Sequence, residues 1–418
     1  MKFKNVSVVS TTDGLISIFC DHECQGTDIY HEYFFLNKEH KLVAHFKSTG
    51  VLNVEQLSEN VENIFYINES TWDNSQAEDK TMIVKVNPDL TYDVLHNIED
   101  YERGIEDGAF AIKKNGLWGF MDANGDEFIK PQYEYYSSFS QGLAGVYKNG
   151  KWGFINKQNE LIIPYEYEFP ENCYSQFMEY ENKLYVSVMK DGKWGIVDNH
   201  NDVIIPFKYD NIGYANKIIF AKKDDKCGFI DLNDNIVVPF EYDDYEEDFC
   251  NFCELSEYHL IAKNDYIGLI DNNGNFVIPI AYKELSVTNK NVIVAKKLNN
   301  KYALINFENK QISNDIDYID SFPNEGMYEV YNRIESKRIR GYITESGELT
   351  IPLKYLHTKR FNGGLAVVEI SNFKEEVINK QGKTLYQGEN NEIFNLGNGY
   401  ILAEAKENEF EIIKLLGE

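Results

Sequence analysis

Five stretches of this 418-residue chain, all between residues 116 and 283, are variants of one another. They read GLWGFMDANGDEFIKPQYEY (116–135), GKWGFINKQNELIIPYEYE (150–168), GKWGIVDNHNDVIIPFKYD (192–210), DKCGFIDLNDNIVVPFEYD (225–243) and DYIGLIDNNGNFVIPIAYK (265–283). Self-similarity at a near-constant interval constrains a fold more tightly than composition does, because each unit must bury its apolar face on its neighbours. Weaker copies follow at 301–318, 339–356 and 374–387, and a half-copy, EFEIIK, closes the chain.

Aligned on the tryptophan, the anchor position holds Trp118, Trp152, Trp194, Cys227, Ile267, Tyr302, Arg340, Glu375 and Phe410, at intervals of 34, 42, 33, 40, 35, 38, 35 and 35 residues. Proline stands 12 residues after the anchor at Pro164, Pro206, Pro239, Pro279 and Pro352, and 13 after it at Pro131. Tyrosine lies three past the proline at Tyr167, Tyr209, Tyr242, Tyr282 and Tyr355. These residues resemble the WG-repeat family, named for the Trp-Gly dipeptide in its repeats. Only three copies keep Trp-Gly itself, and the likeness fades towards the C-terminus. The resemblance implies an interaction or binding repeat, of a kind found mostly in bacterial proteins, rather than an enzyme.

Each clear copy alternates short β-favouring runs with turn residues, which predicts an all-β fold. In the second copy Leu143–Lys148 reads as a strand and Asn149-Gly150 as a tight hairpin turn. Lys151–Ile155 is a second strand, and Leu161–Ile163 a third that stops at Pro164. Three strands per unit, then a variable connector, is the expectation. Trp152 and Phe154 share one face of their strand. Gly153 lies on the other, where a missing side chain lets a backbone or ring approach closely.

The anchor position also accepts Cys227 and Ile267. Neither can stack on a sugar or hold a cation on a π face, so Trp118, Trp152, Trp194, Cys227, Ile267 and Tyr302 are expected to be core anchors. Short, uneven repeats with degenerate ends favour an open superhelical β array of hairpin or three-stranded units. The alternative is a β-propeller-like closure, whose blades usually have four strands. Residues 1–100 are assigned to degenerate N-terminal β repeats acting as a cap, with a loop or short helix within 48–79, and residues 101–418 to the array.

The 41 Lys+Arg against 68 Asp+Glu give a formal charge of −27, which repels nucleic acid and anionic membrane. Twenty-nine Tyr and 26 Phe argue against a disordered chain. No run of eighteen apolar residues is present, and Thr11, Thr12 and Asp13 interrupt any signal-peptide core, so a cytoplasmic location is expected. The cysteines at 20, 24, 173, 227, 250 and 253 are then reduced thiols. Neither Cys20/Cys24 nor Cys250/Cys253 has a second pair beside it, and no metal or cofactor is assigned.

Asp122–Asp126 and Asp271–Asn275 resemble the first half of a calcium loop. Position six is Glu127 or Phe276 and position twelve is Tyr133 or Tyr282, where such a loop needs Gly and a bidentate Glu. Hairpin turns demand the same Asp, Asn and Gly. The eight histidines match no zinc signature, and no GxSxG, Walker A, GxGxxG, HExxH or kinase motif occurs. No catalytic residue is assigned.

Two long connectors stretch the repeat interval. Residues 165–181 carry five acids and residues 241–254 carry seven, with no base in either. Acids interleaved with Tyr and Phe form a surface suited to a Lys/Arg-rich protein, because charge steers encounter and aromatics supply anchors. The expected function is a non-catalytic protein–protein interaction scaffold with Asp243, Asp244, Glu246, Glu247 and Asp248 as candidate partner-binding residues and a basic protein as partner. The alternative is a carbohydrate- or cell-wall-binding module, favoured if the tryptophan rings prove solvent-accessible.

Overall fold

The computed structural model describes residues 2–4, 6–12, 15–23, 29–37, 41–48, 51–56, 63–73, 76–102, 106–169, 177–213, 217–243, 257–371, 374–388, 392–406 and 409–416. Among these, every regular element is a β-strand, and the strands form eleven antiparallel sheets, nine of four strands and two of three. The loop or short helix expected within 48–79 is replaced, where described, by the strands Val51–Gln56, Ile64–Asp73 and Gln76–Val86.

One sheet stands for the others. Its strands, here a to d, are Tyr135–Tyr136, Leu143–Lys148, Lys151–Asn156 and Leu161–Tyr167, hydrogen-bonded in that order. Strands b and c are joined by Asn149-Gly150, both with positive φ as a type I′ turn requires. The expectation of three strands missed strand a. It is two residues of the connector, Tyr135 and Tyr136, paired with Tyr147 and Val146, and so short that no alternation of polarity announces it.

The Trp-Gly dipeptide is explained by the pairing of strands c and d. Trp152 faces Tyr167 and Phe154 faces Ile163, so strand d bulges opposite Gly153. A Cβ on Gly153 would lie 2.8 Å from the Ile163 carbonyl oxygen and 3.0 Å from the Tyr165 ring. The same approach recurs at Gly195, Gly228 and Gly268, where a Cβ would come within 2.6, 2.6 and 2.8 Å of the carbonyl oxygens of Ile205, Val238 and Ile278. The glycine therefore persists in copies that have lost the tryptophan.

Buried clusters draw on consecutive repeats. Trp152, Phe154, Ile163 and Tyr167 pack with Val186, Val188 and Val197 of the following repeat. Tyr185, Trp194, Ile196, Ile205 and Tyr209 likewise pack with Ile219, Ala221 and Ile230. Hydroxyl bonds tie the repeats again. Tyr133 donates to Asn159, Tyr167 to Asn201, Tyr209 to Asp234 and Tyr282 to Asn309, each at 2.6 Å. Every acceptor is the left-handed residue of the next repeat's c–d turn, with φ of 62°, 68°, 64° and 59°.

The chain divides into two compact units, Thr12–Phe240, and Met1–Thr11 with Glu241–Glu418. Within the second, Lys2–Lys4 pairs with Glu409–Glu411, so the beginning of the chain completes the sheet built by its end. An open array would leave the two termini in separate, terminal repeats. This completion of the last sheet by the first strand matches the propeller-like closure weighed above as the alternative, rather than the favoured open superhelix.

Candidate interaction surface

The anchor side chains belong to the core. Trp152 and Trp194 are each 6 % exposed, Cys227 and Ile267 are buried, and Trp118 and Tyr302 are half-buried. Trp152 meets Phe169 edge-on, and Trp118 is tilted against Tyr136. Tyr302 donates its hydroxyl to Glu284 at 2.7 Å. No ring of the Trp-Gly pairs stands free as a platform.

Where described, the acids of the long connectors are largely spent inside the protein. Glu166 accepts from Lys190 and Asn201, and Glu168 from Lys151. The lysine bonds, first in effect for both groups, hold these carboxyls below the usual carboxylate range. Glu241 pairs with Lys263 at 3.2 Å. Asp243, one of the candidate partner-binding residues, bridges to Ala262 through its backbone, and its carboxylate accepts the Asn264 N–H at 2.8 Å. It is thus built into a turn, as Asp210 is into the preceding repeat's turn through Asp224 N. Asp244, Glu246, Glu247 and Asp248 lie outside the described residues, as do Cys24, Cys173, Cys250 and Cys253.

The calcium-like turns are Asx turns. Asp122 Oδ1 accepts from the backbone N–H groups of Asn124 and Asp126, and Asp271 Oδ1 from those of Asn273 and Asn275. Asn156, Asp198, Asp231, Asn306 and Asn379 do the same in their own repeats. An oxygen already holding two amides serves the turn, and neutral Asn serves as well as Asp. Among the described residues no group of three or more His, Cys, Asp or Glu is placed to hold a metal ion. Cys20 is buried, His31 stacks on Phe19 and His45 on Phe34. His259, its pKa lowered chiefly by burial, bonds Asn272 at 2.8 Å.

A second surface escaped the sequence reading. The first residue of strand d is apolar and exposed in three successive repeats: Leu161 at 46 %, Val203 at 54 % and Ile236 at 62 %. An exposed Glu160, Asp202 or Asn235 precedes each. In the other unit Phe276 holds the same position, and Leu349, nine residues after its anchor like the others but ahead of the strand Ile351–Tyr355, is also exposed. A single exposed leucine is unremarkable, but recurrence at one repeat position makes a row. The signal was present, since these residues begin the runs LII, VII, IVV and FVI. In such a run only the third residue, Ile163, Ile205, Val238 or Ile278, is fully inside.

A family model described as a WG containing repeat matches residues 118–152, 152–194, 194–227, 228–252, 267–302 and 341–372. No curated protein matches the chain. Among solved structures, a eukaryotic initiation factor is similar at 10 % identity and a TM-score of 0.42, over 89 % of this chain and 95 % of that one. BamB from Moraxella catarrhalis is similar at 9 % identity and 0.28, over 87 % and 96 %. The WD40 beta propeller domain of Doa1 is similar at 11 % identity and 0.24, over 66 % and 90 %.

Proposed function

From its membership of the WG-repeat family, we propose that the chain is a non-catalytic protein–protein interaction scaffold of the cytoplasm. The observation that carries this reading is the repeated row Leu161, Val203 and Ile236, exposed apolar side chains set beside Glu160, Asp202 and Asn235. Apolar anchors ringed by polar groups suit a protein partner. The charge of −27 and the acids of 244–254 favour a basic one. A carbohydrate-binding reading has less support, because Trp152 and Trp194 serve the core; it would have to use other exposed rings such as Tyr135.

The test is affinity capture from native lysate at low salt with the wild type and with Asp244, Glu246, Glu247 and Asp248 changed together to Lys. Asp243 is left intact because its carboxylate holds a turn. A protein retained by the wild type, released by salt and lost from the variant supports the reading. Capture indifferent to both salt and the four substitutions removes the acidic connector from it.

A further inference from the structure

A second, oppositely charged surface lies in the repeat that contains Arg340. Its b–c hairpin pairs eight residues with eight, Met327–Ile334 against Lys337–Thr344, where the Trp-Gly copies pair six with six. The register sets Arg333 directly opposite Arg338 and Tyr331 directly opposite Arg340. Side chains alternate along a strand, so Tyr331, Arg333, Arg338 and Arg340 share one face. Tyr318, paired with Tyr331 in the neighbouring strand, extends that face. Its ring stacks on Tyr331 at 5.0 Å, and the Arg338 and Arg340 guanidiniums lie 5.1 and 5.5 Å from the Tyr331 ring centre.

Elsewhere the hairpin lysines are neutralised one by one, as in Lys151–Glu168, Lys193–Asp210 and Lys263–Glu241. Among the described residues, Arg333, Lys337, Arg338 and Arg340 make no ion pair with a carboxylate. The acids nearby are already engaged. Asp317 holds Lys301 at 2.5 Å and the backbone N–H of Arg333, Asp320 holds Arg360 at 2.9 Å, and Glu329 accepts the Thr358 hydroxyl. Arg340 gives its Nε–H to the Leu356 carbonyl, which fixes the side chain and leaves its terminal amino groups. Two arginines facing each other across a ladder destabilise the sheet they sit in. An acidic protein has carboxylates to spare, yet among the described residues none forms an ion pair with these side chains.

We propose that this arginine face is a docking surface for an acidic polypeptide segment, whose carboxylates take the two-pronged guanidinium contacts that Arg333, Arg338 and Arg340 offer. Planar guanidiniums bind carboxylates in pairs of parallel hydrogen bonds. A nucleic acid strand is the poorer fit. It would want an open aromatic face for stacking, whereas Tyr331 is already in contact with Tyr318 and two guanidiniums.

The test measures binding of a short labelled oligoglutamate peptide, and in parallel of oligothymidylate of equal charge, to the full chain at low salt. The expected result is salt-sensitive peptide binding, weakened about tenfold or more by Arg338→Glu. That substitution turns the like-charged cross-strand pair into an opposite one, so the melting temperature should hold or rise while affinity falls, an outcome that unfolding cannot mimic. Lys263→Glu, at a hairpin where the lysine is paired, should leave peptide binding unchanged. Absence of peptide binding, equal binding by Arg338→Glu, or tighter binding of oligothymidylate overturns the proposal.

Discussion

At the scale of the residue, glycine rather than tryptophan is what a repeat of this kind must keep. The anchor slot takes Trp152, Cys227 or Ile267, all buried, because a core pocket accepts different volumes when its neighbours adjust. The glycine slot has no such freedom, since the obstacle is the backbone of strand d. Gly153→Ala should therefore cost about 1–3 kcal/mol, the usual range for overpacking, because the methyl would meet the Ile163 carbonyl at 2.8 Å. Urea unfolding of the variant against wild type checks this, and an unchanged midpoint would mean that the bulge moves aside freely. This glycine's role was legible in the sequence from strand alternation alone. The tyrosine three residues after the proline was visible too, but its partner was not. Tyr167 and Asn201 stand 34 residues apart in different repeats, and only the packing of two repeats brings hydroxyl and amide together.

At the scale of the element, the junction between repeats is a strand-to-turn latch, and it is missing where the left-handed place is a glycine, as at Gly274 and Gly382. Tyr355 is fully buried and its hydroxyl has no hydrogen-bond partner. By repeat register the acceptor should come from Gly382, which occupies the left-handed place in its turn (φ 73°) but has no side chain to offer. Gly382→Asn would supply the amide oxygen that Asn159, Asn201 and Asn309 supply elsewhere. Asparagine tolerates this conformation, and its Cβ would meet Ile351 Cγ1 at 3.3 Å, a contact that a small side-chain shift relieves. The expected outcome is a gain of about 1 kcal/mol, the net worth of one satisfied buried hydrogen bond, read as a higher denaturation midpoint. A loss would show that Ile351 cannot yield. The elements themselves were unequally legible. Strands b, c and d announced themselves through alternation and turn residues, whereas the two-residue strand a hid in the connector. The acids at the ends of the acidic runs looked like free surface because nothing in the sequence ties Glu168 to Lys151 or Asp243 to the Asn264 amide. The pairing of Lys2–Lys4 with the C-terminal strand lay beyond any local pattern, and it is what separates the propeller arrangement from an open array.

At the scale of the whole molecule, the tyrosines set the alkaline limit of stability. Burial pushes the hydroxyls of Tyr167, Tyr302 and Tyr328 up to about 12, and it raises those of Tyr133, Tyr209 and Tyr342 as well. In the unfolded chain a tyrosine ionises near pH 10. Between about pH 10 and 12 the unfolded state therefore holds fewer protons than the folded one, so stability falls as pH rises through that window and is fully present below it. Two further effects act in the same direction. A phenolate cannot donate to Asn201 or Asp234, so each latch that ionises loses its hydrogen bond. Every proton lost also deepens a charge that is already −27 at neutral pH, raising the self-repulsion of the compact state. The measurement is a pH titration following backbone circular dichroism and phenolate absorbance together. The buried tyrosines should ionise only as the β signal collapses. A single phenolate step near pH 10, complete while the β signal is unchanged, would show that the buried hydroxyls do not hold the repeats together.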